Sequence, residues 1–265
     1  MLDLTGKIVV VTGGTGILGR LYCRKMAEAG ASVIVSDLDQ KHCTDLAGEI
    51  RENTGTHTVG MAVNLTSEDS VKKWAKEIIE MFGVVDVLVN NAAAKSPNFF
   101  RPLDQFSLED WHMVMSVNVT GMFLTVRELG PLMAARGKGS IINVSSIYGV
   151  VGPDQRIYEG SWYEEMGGAI STPLVYSASK GAVISMTRYL ATYWGPKGIR
   201  VNTLTPGGVS SGQNNVFSEK YSYRVPLGRM AEAEEMVGAL LFLASDASSY
   251  VNGQNLIVDG GWTAW

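Results

Sequence analysis

Short runs of Val, Ile and Leu alternate along the whole chain with longer stretches of helical apolar spacing. This alternation constrains the fold more than any other feature. Strands are predicted at 8–12, 32–36, 58–63, 85–90, 140–145, 200–205 and 255–258, with helices near 17–29, 40–53, 67–82, 104–136, 175–195 and 232–244. Several strand runs are almost continuously apolar, as strands covered on both faces should be. Strand, helix, strand in repetition implies parallel pairing through right-handed crossovers. The predicted fold class is therefore α/β, a single-domain Rossmann fold with a doubly wound seven-stranded parallel sheet and helices on both faces. The 265 residues suffice for one such core, and no linker, repeat or low-complexity tract divides residues 1–265. Two long segments, 147–174 and 206–230, resist the pattern. Both follow predicted strands, where an open α/β sheet places its ligand crevice, so they read as substrate loops.

Composition excludes several classes. A formal charge of −4 and a sequence pI near 5.5 give no basic footprint for nucleic acid. No apolar run approaches the roughly 18 residues that span a bilayer, and the first residues carry no signal-peptide pattern. Cys23 and Cys43 fall in predicted helices and form no disulfide framework, while His42, His57 and His112 are too scattered for a metal site. No metal is expected, and the expected location is the cytoplasm.

Directly after the first strand, Thr12-Gly-Gly-Thr-Gly-Ile-Leu-Gly19 opens a helix, with Gly14, Gly16 and Gly19 in G-x-G-x-x-G spacing. Glycines allow backbone amides to approach a pyrophosphate, and the helix N-terminus adds partial positive charge. A plain structural turn is the alternative. The second strand ends in Asp37, 18 residues beyond Gly19. A carboxylate here can bind adenosine ribose hydroxyls and repel a 2′-phosphate, which favours NAD over NADP. Asp37 could instead cap the next helix, a task open equally to Asp39. The nearest cation to accept a 2′-phosphate is Lys41.

Tyr176-Ser-Ala-Ser-Lys180 starts a helix and places Tyr and Lys on one face at i and i+4. A free tyrosine, with a pKa of about 10, exchanges protons poorly at neutral pH. An ammonium held alongside favours the phenolate and brings it toward the working range.

With these pieces the chain resembles the short-chain dehydrogenase/reductase family over essentially its whole length. The matching motifs follow in order: Thr12 to Gly19, Asn90-Asn-Ala-Ala93, Asn118 in Val-Asn-Val-Thr-Gly, Ser145-Ser146, Tyr176/Lys180, Pro206-Gly207 and Val258-Asp-Gly-Gly261. The resemblance implies Tyr176 as general acid/base and Lys180 as the group that lowers its pKa and binds the nicotinamide ribose. Ser146 would hydrogen-bond the reacting oxygen, and Asn118 would hold a water linking Lys180 to solvent. The NAD site so implied takes in Gly13, Thr15, Gly16, Ile17, Leu18, Gly19, Asp37, Leu38, Asn64, Leu65, Asn90, Asn91, Ala92 and Ala93. Tyr176, Lys180, Pro206, Gly207 and Val209 complete it at the nicotinamide end. The family commonly forms tetramers or dimers through its fourth and fifth helices and its C-terminal segment, so a homo-oligomer is expected. The apolar stretch 239–244, Trp262 and Trp265 are compatible with that expectation.

The chain departs from the family pattern at Ile17 and Ala93, where Gly is usual, and at Asn64, where an acidic residue is common. The largest departure is the 30-position separation of Ser146 and Tyr176, much longer than in the family. The added segment, Gly152 to Met166, joins Gln213, Asn214, Asn215, Phe217, Tyr221 and Arg224 in offering aromatic faces with amide and charged groups. That mixture suits a polyhydroxylated small molecule, whose C–H surfaces pack on rings while polar groups satisfy its hydroxyls. Solvated loops are the alternative. Lys95, Arg101, Arg156 and Arg224 are candidate contacts for a substrate phosphate or carboxylate. The insert and the ending Asp259-Gly-Gly-Trp-Thr-Ala-Trp265 resemble bacterial flagellin-modification oxidoreductases of legionaminic-type surface-sugar synthesis. The expected activity is NAD-dependent interconversion of a secondary alcohol and a ketone on a sugar, sugar phosphate or polyol. A 3-oxoacyl-carrier-protein reductase and a non-catalytic NAD-binding protein are the alternatives.

Overall fold

Val9, Val10 and Val11 are fully buried at the centre of a seven-stranded sheet in the computed structural model, which describes residues 2–161 and 170–265. The strands are β1 (Ile8–Thr12), β2 (Ser32–Asp37), β3 (Val59–Ala62), β4 (Val87–Asn90), β5 (Gly139–Val144), β6 (Ile199–Pro206) and β7 (Asn255–Val258), ordered β3-β2-β1-β4-β5-β6-β7. Every pairing is parallel. The order runs outward from β1 in one direction and from β4 in the other, so a crevice opens where the two halves part, at the carboxyl ends of the strands.

Two apolar layers cover the sheet. On one face, α1 (Ile17–Glu28) and α2 (Gln40–Thr54) join α8 (Val237–Ala244) around Val9, Val11, Val33 and Val35. On the other, α3 (Glu68–Phe82), α5 (Met122–Arg136) and α6 (Leu174–Trp194) bury Trp74, Leu129 and Trp194 against Val10, Ile34 and Leu88. Successive strand side chains point to opposite faces, so each strand feeds both layers. Cys23 and Cys43 are buried thiols of α1 and α2. Desolvation holds both thiols protonated, as in inert core cysteines.

Two helical predictions need correction. The stretch 104–136 is not one helix. Ser107 caps α4 (Leu108–Met115), a π-helical turn follows at Ser116–Gly121, and only then does α5 begin. The apolar periodicity runs through the turn, which is why it gave no break in the sequence. The loop expected at 206–230 contains α7 (Asn215–Arg224), capped by the Asn214 side chain on the Phe217 amide. Only Phe217 and Tyr221 of this helix are buried, too narrow a stripe to register as helical periodicity. Among the described residues, no helix is long and apolar enough to cross a membrane, and no cluster of His, Cys, Asp and Glu could hold a metal.

Candidate active site

The turn after β1 is shaped by its glycines. Gly13 has φ of 62°, and a Cβ there would lie 2.7 Å from the Ala92 Cα. A side chain at Gly19 would collide with the Gly13 carbonyl, so the helix can approach the turn only with Gly at both places. Gly16 is the N-cap of α1 with extended backbone and makes no side-chain cap bond, and no acidic residue occupies the first turn. The first amides of α1 therefore point outward unpartnered, the arrangement that receives an anion. Ile17 is 65 % exposed as the first residue of the helix. Among the described residues none other than Gly has positive φ, so the missing family glycine at 17 leaves the backbone unstrained.

A cavity of about 690 Å³ lies beside this turn. Gly13, Thr15, Gly16, Ile17, Leu18, Gly19, Asp37, Leu38, Asn64, Leu65, Asn91, Ala92 and Ala93 all line it. Asp37 stands at one rim. Its Oδ2 accepts from the Thr15 amide at 3.0 Å and the Thr15 hydroxyl at 2.6 Å, and its Oδ1 accepts from the Leu38 amide at 2.8 Å. Asp39, not Asp37, caps α2. Lys41 is committed to Asp45 at 2.6 Å. The cation held at the turn is Arg20, whose guanidinium donates to the Thr15 carbonyl. The sequence reading passed over Arg20, although its position one turn beyond Gly16 was available. Asn64, which lines the cavity, uses its side-chain carbonyl on Thr66 within its own turn. The residues present fit a dinucleotide: glycines open the backbone, helix amides face a pyrophosphate, and a carboxylate waits at the ribose end.

Asn90 does not line this cavity. It is buried in a polar chain that crosses the sheet: the Thr125 hydroxyl donates to its Oδ1, its Nδ2 donates to Asn143, and Asn143 donates to Thr187. The final residue of β4 points into the helix layer, while Asn91, one residue later, turns outward and ties Thr12 and Gly13 carbonyls to the crevice.

Beyond the cavity, β5, β6 and α6 bring the catalytic candidates together. Ser145 is structural, donating to the Lys180 carbonyl at 2.8 Å. Ser146 lies with its hydroxyl against Tyr176 and accepts from the Tyr148 amide. Gly149 lets this turn press on α6, because a Cβ there would lie 2.6 Å from Lys180 backbone atoms. The Lys180 ammonium donates to the Val144 carbonyl at 2.9 Å and lies 5.8 Å from the Tyr176 ring centre. Burial holds Lys180 down to about 8. Burial also pushes the half-buried Tyr176 phenol up, and Ser146 offsets this in part. The expected lowering of Tyr176 is absent from the chain alone, because desolvation dominates.

Asn118 lies in the π-helical turn. Its Oδ1 accepts from the Ala94 amide at 2.9 Å, and its Nδ2 donates to Ser179 at 3.1 Å. Ser179 donates in turn to the Tyr176 carbonyl. The dinucleotide-side loop is therefore coupled to the Tyr176 turn through side chains on α6 and the π turn. Ser179 was missed because a serine between Tyr and Lys carries no signal of its own. Pro206, Gly207 and Val209 fall outside the cavity, at the end of β6, where the Gly207 amide donates to Val258 and Val209 bridges to Ala231.

The two substrate segments pack on each other. Tyr158 stacks on Phe217, and Tyr221 stacks on Trp262 with ring centres 4.3 Å apart. Asp154 holds both Arg156 and Arg224, and Lys220 donates to the Arg156 and Glu159 carbonyls. This corrects the expectation that these groups stand free for substrate. Arg156 and Arg224 share the single Asp154 carboxylate, Gln213 folds onto Val209 and Ser211, and Asn214 caps α7. Phe217, Tyr221 and Trp262 form a small core of their own, so Trp262 is no surface residue. Lys95 lies over the Phe100 ring, and Arg101 is exposed. The insert residues 162–166 lie outside the described residues.

Comparison with known proteins agrees with this geometry. A family profile described as short chain dehydrogenase matches residues 7–162, and one described as enoyl-(acyl carrier protein) reductase matches 163–263. The chain belongs to the short-chain dehydrogenase/reductase family. Among its relatives, a 3-oxoacyl-acyl-carrier-protein reductase of Aquifex aeolicus is 33% identical over 98% of each chain. A D-threitol dehydrogenase of Mycolicibacterium smegmatis is 31% identical over 98% of this chain and 94% of its own. The structure of a gluconate 5-dehydrogenase from Burkholderia cenocepacia, in complex with NADP and tartrate, has 32% identity and a TM-score of 0.89, covering 100% of this chain and 98% of the other.

Proposed function

We propose that the chain is an NAD-dependent oxidoreductase that interconverts a secondary alcohol and a ketone on a sugar, sugar phosphate or polyol. The observation that carries this reading is the convergence of Ser146, Tyr176 and Lys180 at the carboxyl end of β5, next to a glycine-lined crevice. The dinucleotide, when bound, supplies or accepts the hydride. As the phenolate, Tyr176 takes the proton from the substrate alcohol, and as the neutral phenol it gives that proton to the carbonyl oxygen in the reverse direction. Ser146 donates a hydrogen bond to the same oxygen and fixes it in reach. Lys180 supplies positive charge beside the Tyr176 ring and would hold the nicotinamide ribose, giving up its Val144 bond for that contact. Asn118 positions Tyr176 through Ser179. Gly13, Thr15, Gly16, Ile17, Leu18, Gly19, Asn64, Leu65, Asn91, Ala92 and Ala93 hold the dinucleotide, with Pro206, Gly207 and Val209 at its nicotinamide end.

Asp37 supports NAD. Three donors pin its carboxylate at the ribose rim, where it accepts from the 2′-hydroxyl and repels a 2′-phosphate. The segments 147–174 and 206–230 are the substrate loops, and their joined aromatic core is the wall against which a polyol packs. The polyol reading draws on the threitol and gluconate specificities of the two relatives. A carrier-protein reductase is the second reading, favoured by the Aquifex aeolicus relative. The enzyme works in the cytoplasm. As an oligomer it pairs through the outer face of α5 and α6, where Phe123, Leu132, Tyr189 and Tyr193 are exposed apolar side chains. Sedimentation at micromolar concentration should give a dimer or tetramer, and a monomer would refute the pairing.

The deciding experiment follows nicotinamide absorbance with NAD⁺ or NADP⁺ against sugars, sugar phosphates, nucleotide sugars, polyols and 3-oxoacyl thioesters. The Tyr176→Phe variant is the blank. Turnover on a polyhydroxylated compound with NAD⁺ supports the proposal. Turnover confined to acyl thioesters would replace it with the second reading, and silence with NADH still bound would leave a non-catalytic role.

A further inference from the structure

Asp110, in the first turn of α4, is a carboxylate that the chemistry above does not use, yet it is only 4 % exposed. A buried charge is costly unless donors surround it. As the third residue of the helix it would ordinarily turn back to the amide of the cap residue. Its oxygens go elsewhere. Oδ2 accepts from the Ser107 hydroxyl and, at 3.3 Å, from the Asn98 side-chain amide, and Oδ1 accepts from the Asn98 backbone amide at 3.3 Å. The Ser107 bond above all holds the carboxyl below the usual carboxylate range. The carboxylate therefore ties α4 to the middle of the connection that leaves β4. That connection reaches Tyr176 by two routes. At its start the Ala94 amide donates to Asn118, which continues through Ser179 to the Tyr176 carbonyl. One residue beyond Asn98, Phe99 is buried with Val114 and Val175, and its ring meets that of Tyr176 edge-on with centres 6.1 Å apart. The first route holds the backbone of Tyr176, and the second holds its ring.

We propose that Asp110 is a positioning residue: by clamping Asn98 it seats Phe99 against the Tyr176 ring and so fixes the direction of the Tyr176 hydroxyl. The proposal rests on Tyr176 as the proton-exchanging group, whichever substrate it serves. The phenol oxygen lies at the far end of the side chain, so a tilt of the ring displaces it more than any other atom. Asp110 touches neither the ring nor Ser146; it acts through the one residue between its clamp and the ring.

The test compares Asp110→Ala, Asp110→Asn, Phe99→Leu and Tyr176→Phe with the wild type, well below the melting temperature. The substrates are D-threitol and D-gluconate with NAD⁺, and acetoacetyl-CoA with NADH. Asp110→Ala should lower kcat about tenfold, since displacing a reacting group by about 1 Å can cost about 10²-fold. Substrate KM and NADH affinity should stay within about twofold, because the buried clamp touches neither ligand. Asp110→Asn keeps one accepting oxygen for Asn98 and should lose only about threefold. Phe99→Leu should also lower kcat about threefold, and adding it to either Asp110 variant should cost no more, since a released loop no longer delivers the ring. If Asp110→Ala does not fold, the same cycle on Asp110→Asn decides. A lower melting temperature with kcat unchanged makes Asp110 a structural cap and overturns the proposal. Losses that multiply in the double variant overturn it too, because Asp110 would then act by a route other than Phe99. If Tyr176→Phe matches the wild type, or no substrate turns over, the proton-exchange reading itself fails and this proposal falls with it.

Discussion

The crevice beside β1 and the substrate wall above β5 are built by different means. The crevice is mostly backbone: glycines that clear a path, helix amides, and a carboxylate held by Thr15 and Leu38. The wall is mostly side chains from three separate segments, Asp154 to Tyr158, Phe217 to Arg224 and Trp262, which meet only after folding. A backbone-built site tolerates changes of side chain that keep the geometry. A site assembled from packed side chains should instead respond to any change that loosens the contacts among them. Between the two stand Ser146, Tyr176 and Lys180, whose chemistry belongs to individual atoms.

The largest effect should come from those atoms. Tyr176→Phe removes the group that exchanges the proton, and general acid–base contributions of this kind are worth about 10²–10⁴-fold in rate. NADH binding, followed by fluorescence, should persist, because the crevice does not depend on that hydroxyl. Loss of both rate and NADH binding would show that the two regions are not separable.

Asp37→Ser tests the one place where the crevice depends on a side-chain charge. Hydrogen bonds to a charged group contribute about 1.5–3 kcal/mol, so the NADH-to-NADPH affinity ratio should fall about 10–100-fold. Arg20, already lodged on the Thr15 carbonyl, is then the cation closest to an incoming 2′-phosphate. An unchanged ratio in titration calorimetry would remove Asp37 as the discriminator.

These two residues also show what could be read without coordinates. The strand runs, the glycine turn, Asp37, Tyr176 and Lys180 are local signals: fixed spacings on elements whose periodicity is strong. Asn90 and Asn91 could not be told apart, since their opposite directions depend on where β4 ends. Ser179 and Asp110 were silent for a related reason. A serine or an aspartate inside a helix acquires meaning only from what faces it. The substrate wall was least legible: Arg224, Gln213 and Asn214 have the chemistry to bind a polyol, yet in the fold Arg224 pairs with Asp154 of the insert while Gln213 and Asn214 bond within their own loop. Composition identifies available groups but not which of them are already taken.

Asp154→Asn tests whether the wall acts as a unit. The side chain is 13% exposed and holds Arg156 and Arg224 together, and the pair of guanidinium groups keeps its carboxyl well below the usual carboxylate range. The arginines are partly exposed, so solvent screens the loss, and exposed pairs are worth about 0–1 kcal/mol. The melting temperature should hardly move. Substrate KM should rise about three- to tenfold, because the insert loses its tie to α7 and the substrate must order it on binding. KM unchanged within experimental error would mean that the aromatic stacking alone holds the wall.

Ile17→Gly should have the smallest effect, and it is the most direct check on the backbone-built half. The family pattern places glycine here, so a reading from motif alone expects the substitution to improve NADH binding. The geometry gives another answer. Residue 17 is the first residue of α1, none of the described residues other than Gly has positive φ, and the Ile17 side chain is 65 % exposed at the cavity edge. The tight turn is already supplied by Gly13 and the close helix approach by Gly19. Glycine at 17 would add only freedom to the helix start, costing up to about 0.5–1 kcal/mol, the penalty within a helix. The amides that face a pyrophosphate remain where they are. NADH affinity should therefore stay within about threefold, with a slightly lower melting temperature. A gain of tenfold or more would show that the Ile17 side chain obstructs the crevice, and that this half too is governed by packing of side chains.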